Sequence, residues 1–230
     1  MKTRTYQNQA INSVVAKLRD NRSCLIVSAT GTGKSHIAER LAGMASSRVL
    51  VIGQTSEVIY QMTEACRRTG KEVGVEMAER RASDMYLSPP PIVVATVQTL
   101  NASDGRRLDE LVPDPSAWSL VIIDEAHHAP AASYRKVIEH MQLNPSLKLV
   151  GMTATPKRGD DVKLGAVFDD VAFDYGFLEA MNDGWLVKME AELVTVDSLD
   201  FKSVRTTAGD LNGRDLDRVM RVERTMIGMC

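Results

Sequence analysis

Leu25-Ile26-Val27-Ser28-Ala29-Thr30-Gly31-Thr32-Gly33-Lys34-Ser35 sets what the rest of this chain must be built around. A short apolar run passes through a glycine–threonine loop to Lys34 and Ser35, and a helical pattern follows. A buried strand, a loop of exposed backbone N–H groups and a helix N-terminus together hold a polyphosphate. Gly31 and Gly33 adopt backbone angles that other residues resist and leave room for close approach to phosphate. On this reading Thr30, Gly31, Thr32 and Gly33 form the cradle. Lys34 sets a positive charge against the β- and γ-phosphates, and Ser35 offers its hydroxyl to Mg²⁺. The strict pattern G-x-x-x-x-G-K-[ST] fails at its first glycine, where this chain has Ser28. A Gly-rich turn that only caps a helix is the plainer alternative. The strand before the loop and the helix after it favour the nucleotide site.

Outward from the loop, Val121-Ile122-Ile123-Asp124-Glu125-Ala126-His127-His128 is an apolar strand that ends in two carboxylates. Beside a lysine loop, Asp124 can hold Mg²⁺ through its water shell, and Glu125 can orient and deprotonate an attacking water. Adjacent residues at a strand end diverge, so one faces the metal while the other reaches past the γ-phosphate. A solvated acidic turn capping the helix near Ala131 is the alternative, and the coincidence of two halves of one site argues against it. His127 and His128 have no cysteine cluster to complete a zinc site.

Of 230 residues, 44% are hydrophobic and 25% charged, the balance of a globular protein with a substantial core. The formal charge of −2 carries no global basic signature, so any nucleic-acid surface has to be a local patch. Cys24, Cys66 and Cys230 form no disulfide framework and read as reduced thiols in a cytosolic setting. The N-terminus lacks the apolar segment of a signal peptide. No apolar run approaches membrane-spanning length, so no membrane partner is expected.

Periodicity predicts a helix over 8–19 through Ile11, Val14, Val15 and Leu18. After the phosphate loop comes a helix with Ile37, Leu41 and Met44 on one face, then a strand at Val49–Ile52. A helix with Val58, Ile59, Met62, Ala65 and Cys66 inward runs to about Arg68, which makes Cys66 a packed core residue. Strands are expected at Lys71–Val75, Ile92–Ala95, Leu120–Ile123 and Leu147–Val150, with a helix at Tyr134–Met141. Asn101–Trp118 reads as a polar surface excursion around one short helix. Beyond Pro156 the expectations are a strand at Val171–Tyr175, a helical turn at Phe177–Met181, a last strand at Ala191–Val196 and a helix at Asp215–Met226. The alternation argues for an α/β fold, a mainly parallel sheet with helices on both faces in a single lobe. In such sheets ligands sit beyond the carboxyl ends of the strands. The polar sequences singled out here each follow a strand, so they are expected to converge on one edge.

With these elements in hand, the chain resembles the first RecA-like lobe, a P-loop NTPase fold, of a superfamily 2 helicase of the DEAD/DEAH type. It is similar to bacterial and phage members allied to the XPB/RadD-like and restriction-translocase groups. The resemblance covers about residues 2–200. Arg4-Thr5-Tyr6-Gln7 resembles the R-x-Y-Q element, whose Arg and Gln approach adenine, and Ala29–Ser35 resembles motif I. Val49–Gln61 resembles motif Ia and Val94–Leu100 motif Ib. Asp124-Glu125-Ala126-His127 is motif II in its DEAH spelling, and Thr153-Ala154-Thr155-Pro156 resembles motif III. The resemblance implies ATP held by Arg4, Gln7 and the loop from Thr30 to Ser35, catalysis by Glu125 with Lys34, and Mg²⁺ at Ser35 and Asp124. It implies coupling through His127, Thr153 and Thr155, and nucleic-acid contacts at Thr55, Thr96 and Gln98, with DNA ahead of RNA. Motif Ia departs from the family pattern: its Pro and Arg are replaced by Gln54 and Ser56, which leaves Thr55 as its most transferable contact.

The resemblance also implies residues 1–197 as the ATP-binding lobe and 198–230 as a linker toward a second RecA-like lobe, supplied in cis or in trans. A fragment of a longer protein is expected. Arginines of that second lobe reach the γ-phosphate, and such a finger contributes roughly 10³–10⁵ in rate, so a lone lobe should hydrolyse ATP poorly. The expected setting is the cytoplasm of a bacterial or phage-infected cell. The competing function is a non-enzymatic ATP-binding adaptor or sensing module, against which Glu125 argues. A small-molecule kinase gives no account of Thr96–Leu100 or Thr153–Pro156.

Overall fold

The structure, a computed structural model, describes residues 3–82, 89–154 and 164–188, and the backbone of 206–207 and 210–211. The chain divides into two compact units, Met1–Val187 and Lys188–Cys230. In the second, strands at Thr206–Thr207 and Asp210–Leu211 pair antiparallel. Everything below concerns the first.

Its elements run α1 (Thr5–Asp20), β1 (Ser23–Ser28), α2 (Lys34–Met44), β2 (Arg48–Gly53), α3 (Ser56–Arg67), β3 (Val73–Glu76) and β4 (Ile92–Thr96). They continue with α4 (Val97–Leu100), α5 (Arg106–Leu111), β5 (Trp118–Asp124), α6 (Ala132–Met141), β6 (Lys148–Thr153), β7 (Val171–Tyr175) and α7 (Phe177–Asn182). The strands form one sheet in the order β3-β4-β2-β5-β6-β1-β7, and every pairing is parallel.

The apolar strands follow from cover on both faces. On one face Cys24, Ile26, Val49, Val51, Ile122 and Val150 pack with Ala10, Ile11 and Val14 of α1, Ile37 and Leu41 of α2, and Ile59, Met62 and Cys66 of α3. On the other, Leu25, Val27, Leu50, Ile52, Val121 and Ile123 pack with Leu100, Leu108, Leu111, Tyr134, Val137 and Met141. Alternation along each strand thus divides two cores rather than core from water. Burial pushes the thiols of Cys24 and Cys66 up to about 12, which leaves them packing groups rather than nucleophiles.

Two expectations change. Met44 does not join the inward face of α2; it is 57% exposed at the helix end, and Ala38 and Ala42 complete the buried stripe. β4 ends at Thr96, one residue past the expected Ala95, and α4 follows at once. Thr96 caps a helical turn there by accepting the Thr99 N–H. The stretch before β5 is more than a surface excursion, because Leu108, Leu111, Val112 and Trp118 are buried and close the second core. The proposed strand at Ala191–Val196 and helix at Asp215–Met226 lie outside the described residues. No helix among the described residues is long and apolar enough to cross a membrane.

Gly151, in the middle of β6, has a packing reason. A Cβ there would stand 2.5 Å from Phe168 Cζ and 2.8 Å from Ala126 Cβ. Gly151→Ala is therefore expected to cost about 1–3 kcal/mol through overpacking. The readout is a lower urea midpoint at unchanged slope.

Candidate functional site

β1 delivers the phosphate loop to the carboxyl edge of the sheet. Gly31 and Gly33 sit at φ +85° and +84°, where a Cβ is strained. Gly33 also has no room for one: a Cβ would meet Gln7 Nε2 at 2.6 Å. Ser28, at the position of the missing first glycine, is fully buried, and its hydroxyl lies 2.6 Å from Thr32 Oγ1. Thr32 Oγ1 donates in turn to Ala29 O at 2.6 Å, so the serine side chain braces the loop from within.

The helix that precedes β1 braces the loop from outside. Thr32 O accepts from both Tyr6 OH at 2.5 Å and Gln7 Nε2 at 2.9 Å, which fills both lone pairs of that carbonyl. Gln7 Oε1 accepts the Arg4 N–H at 2.9 Å, and Arg4 Nη1 donates to Tyr6 OH at 3.0 Å. Arg4 and Gln7 are thereby fixed beside the loop. Lys34 Nζ donates to Ser28 O at 3.1 Å, folded back over the loop. Ser35 Oγ accepts from Gln61 Nε2 of α3 at 3.1 Å.

β5 ends at the second half of the site. Asp124 is 7% exposed, and its Oδ1 and the Tyr134 hydroxyl are the two buried side-chain polar atoms without a hydrogen-bond partner among the described residues. Burial, then the neighbouring Glu125 charge, pushes the Asp124 carboxyl above its ordinary 3.8, while Lys34 pulls the other way. Burial, with the charges of Asp124 and Glu125, likewise raises the Tyr134 phenol to about 12. Glu125 is left-handed at φ 50°, ψ 51°, a strained conformation for a residue with a Cβ. That conformation turns its carboxylate out of the strand. His127 Nδ1 lies 3.3 Å from Glu125 Oε2 and 3.1 Å from Thr153 Oγ1 at the end of β6. Thr153 is buried, and Thr155 lies outside the described residues.

The parallel order fixes what meets what. β6 separates β1 from β5, so Thr153 stands between the phosphate loop and Asp124-Glu125. β2 and β4 continue the edge on the far side of β5, carrying Thr55 and Thr96. Thr55 and Gln98 are exposed, and the Thr55 hydroxyl accepts the Val58 N–H at 3.4 Å as the cap of α3. Thr96 is 7% exposed, and its hydroxyl donates to Thr99 Oγ1 at 2.8 Å.

Gln61, Tyr6 and Tyr134 gained no role from the sequence. Gln61 ends the run compared with motif Ia, six residues after Thr55, but only the packing of α3 on α2 brings it to Ser35. Tyr6 stands in the sequence only as part of the R-x-Y-Q element and Tyr134 only as the start of a predicted helix; their hydroxyls gain a place only in the fold. Chemically, the arrangement offers a cation and loop N–H groups to a polyphosphate. A hydroxyl and a buried carboxylate oxygen without a partner among the described residues suit a hard divalent cation such as Mg²⁺, and a second carboxylate, Glu125, stands next to it beside His127.

Residues 1–158 match the family described as ResIII, type III restriction enzyme, res subunit. The chain is 29% identical over 234 residues to a Saccharomyces cerevisiae protein named, provisionally, ATP-dependent helicase IRC3; that alignment takes in 96% of this chain and 33% of the relative. The helicase domain of Pyrococcus furiosus Hef superposes with a TM-score of 0.59 at 25% identity, over 75% of this chain and 38% of that one. A nuclease-deletion mutant of the type ISP restriction-modification enzyme LlaGI, solved with a DNA substrate mimic, gives a TM-score of 0.60 at 21% identity, over 80% of this chain and 21% of that one. This chain spans about a third of the length of the curated relatives it matches.

Asp124 gives a prediction with a definite sign. Its raised value means that the folded state keeps a proton which the unfolded chain loses just above pH 3.8, so stability falls as pH rises through that window. Asp124→Asn removes the loss. At pH 7 it is expected to raise the melting temperature above that of the unaltered chain, read by calorimetry. Below pH 3.8, where both states are protonated, the gain is expected to vanish.

Proposed function

This chain belongs to the type III restriction enzyme res-subunit family, and on that premise we propose that it is the ATP-binding RecA-like lobe of an ATP-dependent helicase or translocase that moves on DNA. The observation that carries the reading is the meeting of Lys34 and Ser35 with Asp124 and Glu125 across β6, with a buried Asp124 oxygen that has no hydrogen-bond partner among the described residues. The assignment to DNA ahead of RNA leans on the LlaGI likeness, solved with a DNA mimic.

In this reading Lys34 leaves the Ser28 carbonyl for the β- and γ-phosphates, and the N–H groups from Thr30 to Ser35 take the remaining phosphate oxygens. Gln7 keeps one N–H and one lone pair beyond its bonds to Thr32 and Arg4, the pair that matches N7 and the amino group of adenine. Ser35 and Asp124 would hold Mg²⁺, which when bound neutralises charge shared by the β- and γ-phosphates. Glu125 orients the attacking water and accepts its proton. His127, between Glu125 and Thr153, ties that carboxylate to β6, and we assign the coupling role to this pair and to Thr155. Thr55 and Gln98 are proposed to meet the nucleic-acid backbone, a contact that is tolerant of sequence and sensitive to salt. Thr96 contributes by capping α4, which presents Gln98. The 198–230 stretch is proposed as the linker to a second RecA-like lobe, whose arginines complete the site. A reducing compartment suits the unpaired, buried Cys24 and Cys66.

The test separates binding from turnover. Lys34→Ala is expected to lower Mg-ATP affinity of this chain about 100-fold or more by calorimetry. Glu125→Gln is expected to keep that affinity. In the protein carrying both lobes, it should lower DNA-stimulated hydrolysis by about 10²–10⁴. Unchanged turnover in the glutamine variant removes Glu125 from its role. Binding of Mg-ATP with no turnover by the unaltered protein, with or without DNA, favours the adaptor reading instead.

A further inference from the structure

A cluster beside the phosphate loop takes no part in the mechanism above. α7 ends at Asn182, and Gly184 follows with φ +75°. The Trp185 and Leu186 N–H groups both donate to Ala180 O, at 2.9 and 3.1 Å, so the chain doubles back on the helix it has just left. That reversal lays the Trp185 indole under Arg4, whose guanidinium carbon stands 4.5 Å from the ring centroid. The indole also meets Tyr6 edge-on, with centroids 5.8 Å apart. Tyr6 stacks flat on Tyr175 at 4.4 Å, and Tyr175 OH donates to Asp183 Oδ2 at 2.8 Å. The next residue, Leu186, stands 3.2 Å from where a Cβ on Gly31 would be. The turn after α7 therefore touches both Arg4 and the phosphate loop.

We propose that Trp185 is a positioning residue of the nucleotide-base subsite: its indole holds one face of the Arg4 guanidinium and leaves the opposite face for a purine base. This rests on the nucleotide-site reading above. A guanidinium is planar and stacks on either face. Free in solution, the Arg4 side chain would lose several rotamers on meeting a base. Here the indole below it and the Tyr6 hydroxyl beside it, at 3.0 Å from Nη1, restrict those rotamers before any ligand arrives. Trp185 is 42% exposed, so water reaches the cluster, unlike the packed tyrosines at 3% and 7%.

The experiment uses the tryptophan itself. The only other tryptophan, Trp118, is 1% exposed at the start of β5, the end of the strand remote from the site. Mg-ADP is expected to change tryptophan emission of the full chain, and Mg-tripolyphosphate, which has no base, is expected to leave it unchanged. Trp185→Leu should abolish the change and weaken Mg-ADP about tenfold by calorimetry, with tripolyphosphate affinity unaltered. Trp185→Phe, which keeps an aromatic face, should retain most of the Mg-ADP affinity. The proposal is overturned if Trp185→Leu weakens both ligands equally or neither, if Trp185→Phe is as weak as the leucine variant, or if Mg-ADP binds without a change in emission. An unaltered chain that binds neither ligand overturns the nucleotide-site reading, and this inference with it.

Discussion

A parallel sheet cannot be closed by hairpins, and everything distinctive about this lobe follows from that. Each strand must be joined to the next by a crossover that returns to the starting edge, so every strand end is delivered to the opposite edge. Helices α1 to α3 cover one face, and α4 to α6 cover the other. The strands then have no solvent face, and their apolar content is forced. Any polar residue at a strand end is half-drawn into the core, as Asp124 is at 7% exposure. The site is where this architecture runs out of apolar material.

Local cost is concentrated there. Glu125 holds a left-handed backbone, Asp124 keeps a buried oxygen without a partner among the described residues, and Gly31 and Gly33 give up the conformational restraint that other residues supply. The surrounding structure over-determines these features. Thr32 is gripped through its carbonyl by two side chains of α1 and through its hydroxyl by Ser28 and Ala29. Glu125 is followed by a short turn at Ala126–His128, and Ala126 packs against β6 where Gly151 leaves space. A phosphate loop held this firmly costs a ligand little to order.

Besides the grip of α1 on Thr32, two contacts tie the loop and the carboxylates to neighbouring elements. Gln61 donates to Ser35 from the same helix that Thr55 caps, so α3 joins a residue exposed at the far half to the hydroxyl expected at the metal. His127 stands between Glu125 and Thr153, which links the ends of β5 and β6. Both are single hydrogen bonds between elements that are otherwise rigid.

The sequence by itself determined the elements and their chemistry. The apolar runs at 25–27, 49–52, 92–95 and 120–123 are too uniformly apolar for a one-sided sheet, and the glycine–lysine loop and paired carboxylates are local patterns read from adjacent residues. Helix ends were less legible, because Met44 satisfies the helical period yet lies beyond the sheet that would bury it. Only the tertiary structure decided the strand order, and with it that β6 stands between the lysine loop and the carboxylates. It alone decided that Ser28 replaces a glycine by bonding Thr32, that Gln61 reaches Ser35, and that Trp185 lies under Arg4, 181 positions away along the chain. The physical reason is range. Periodicity and turn chemistry act over a few residues, whereas these contacts depend on how helices settle on a sheet, which no local pattern encodes.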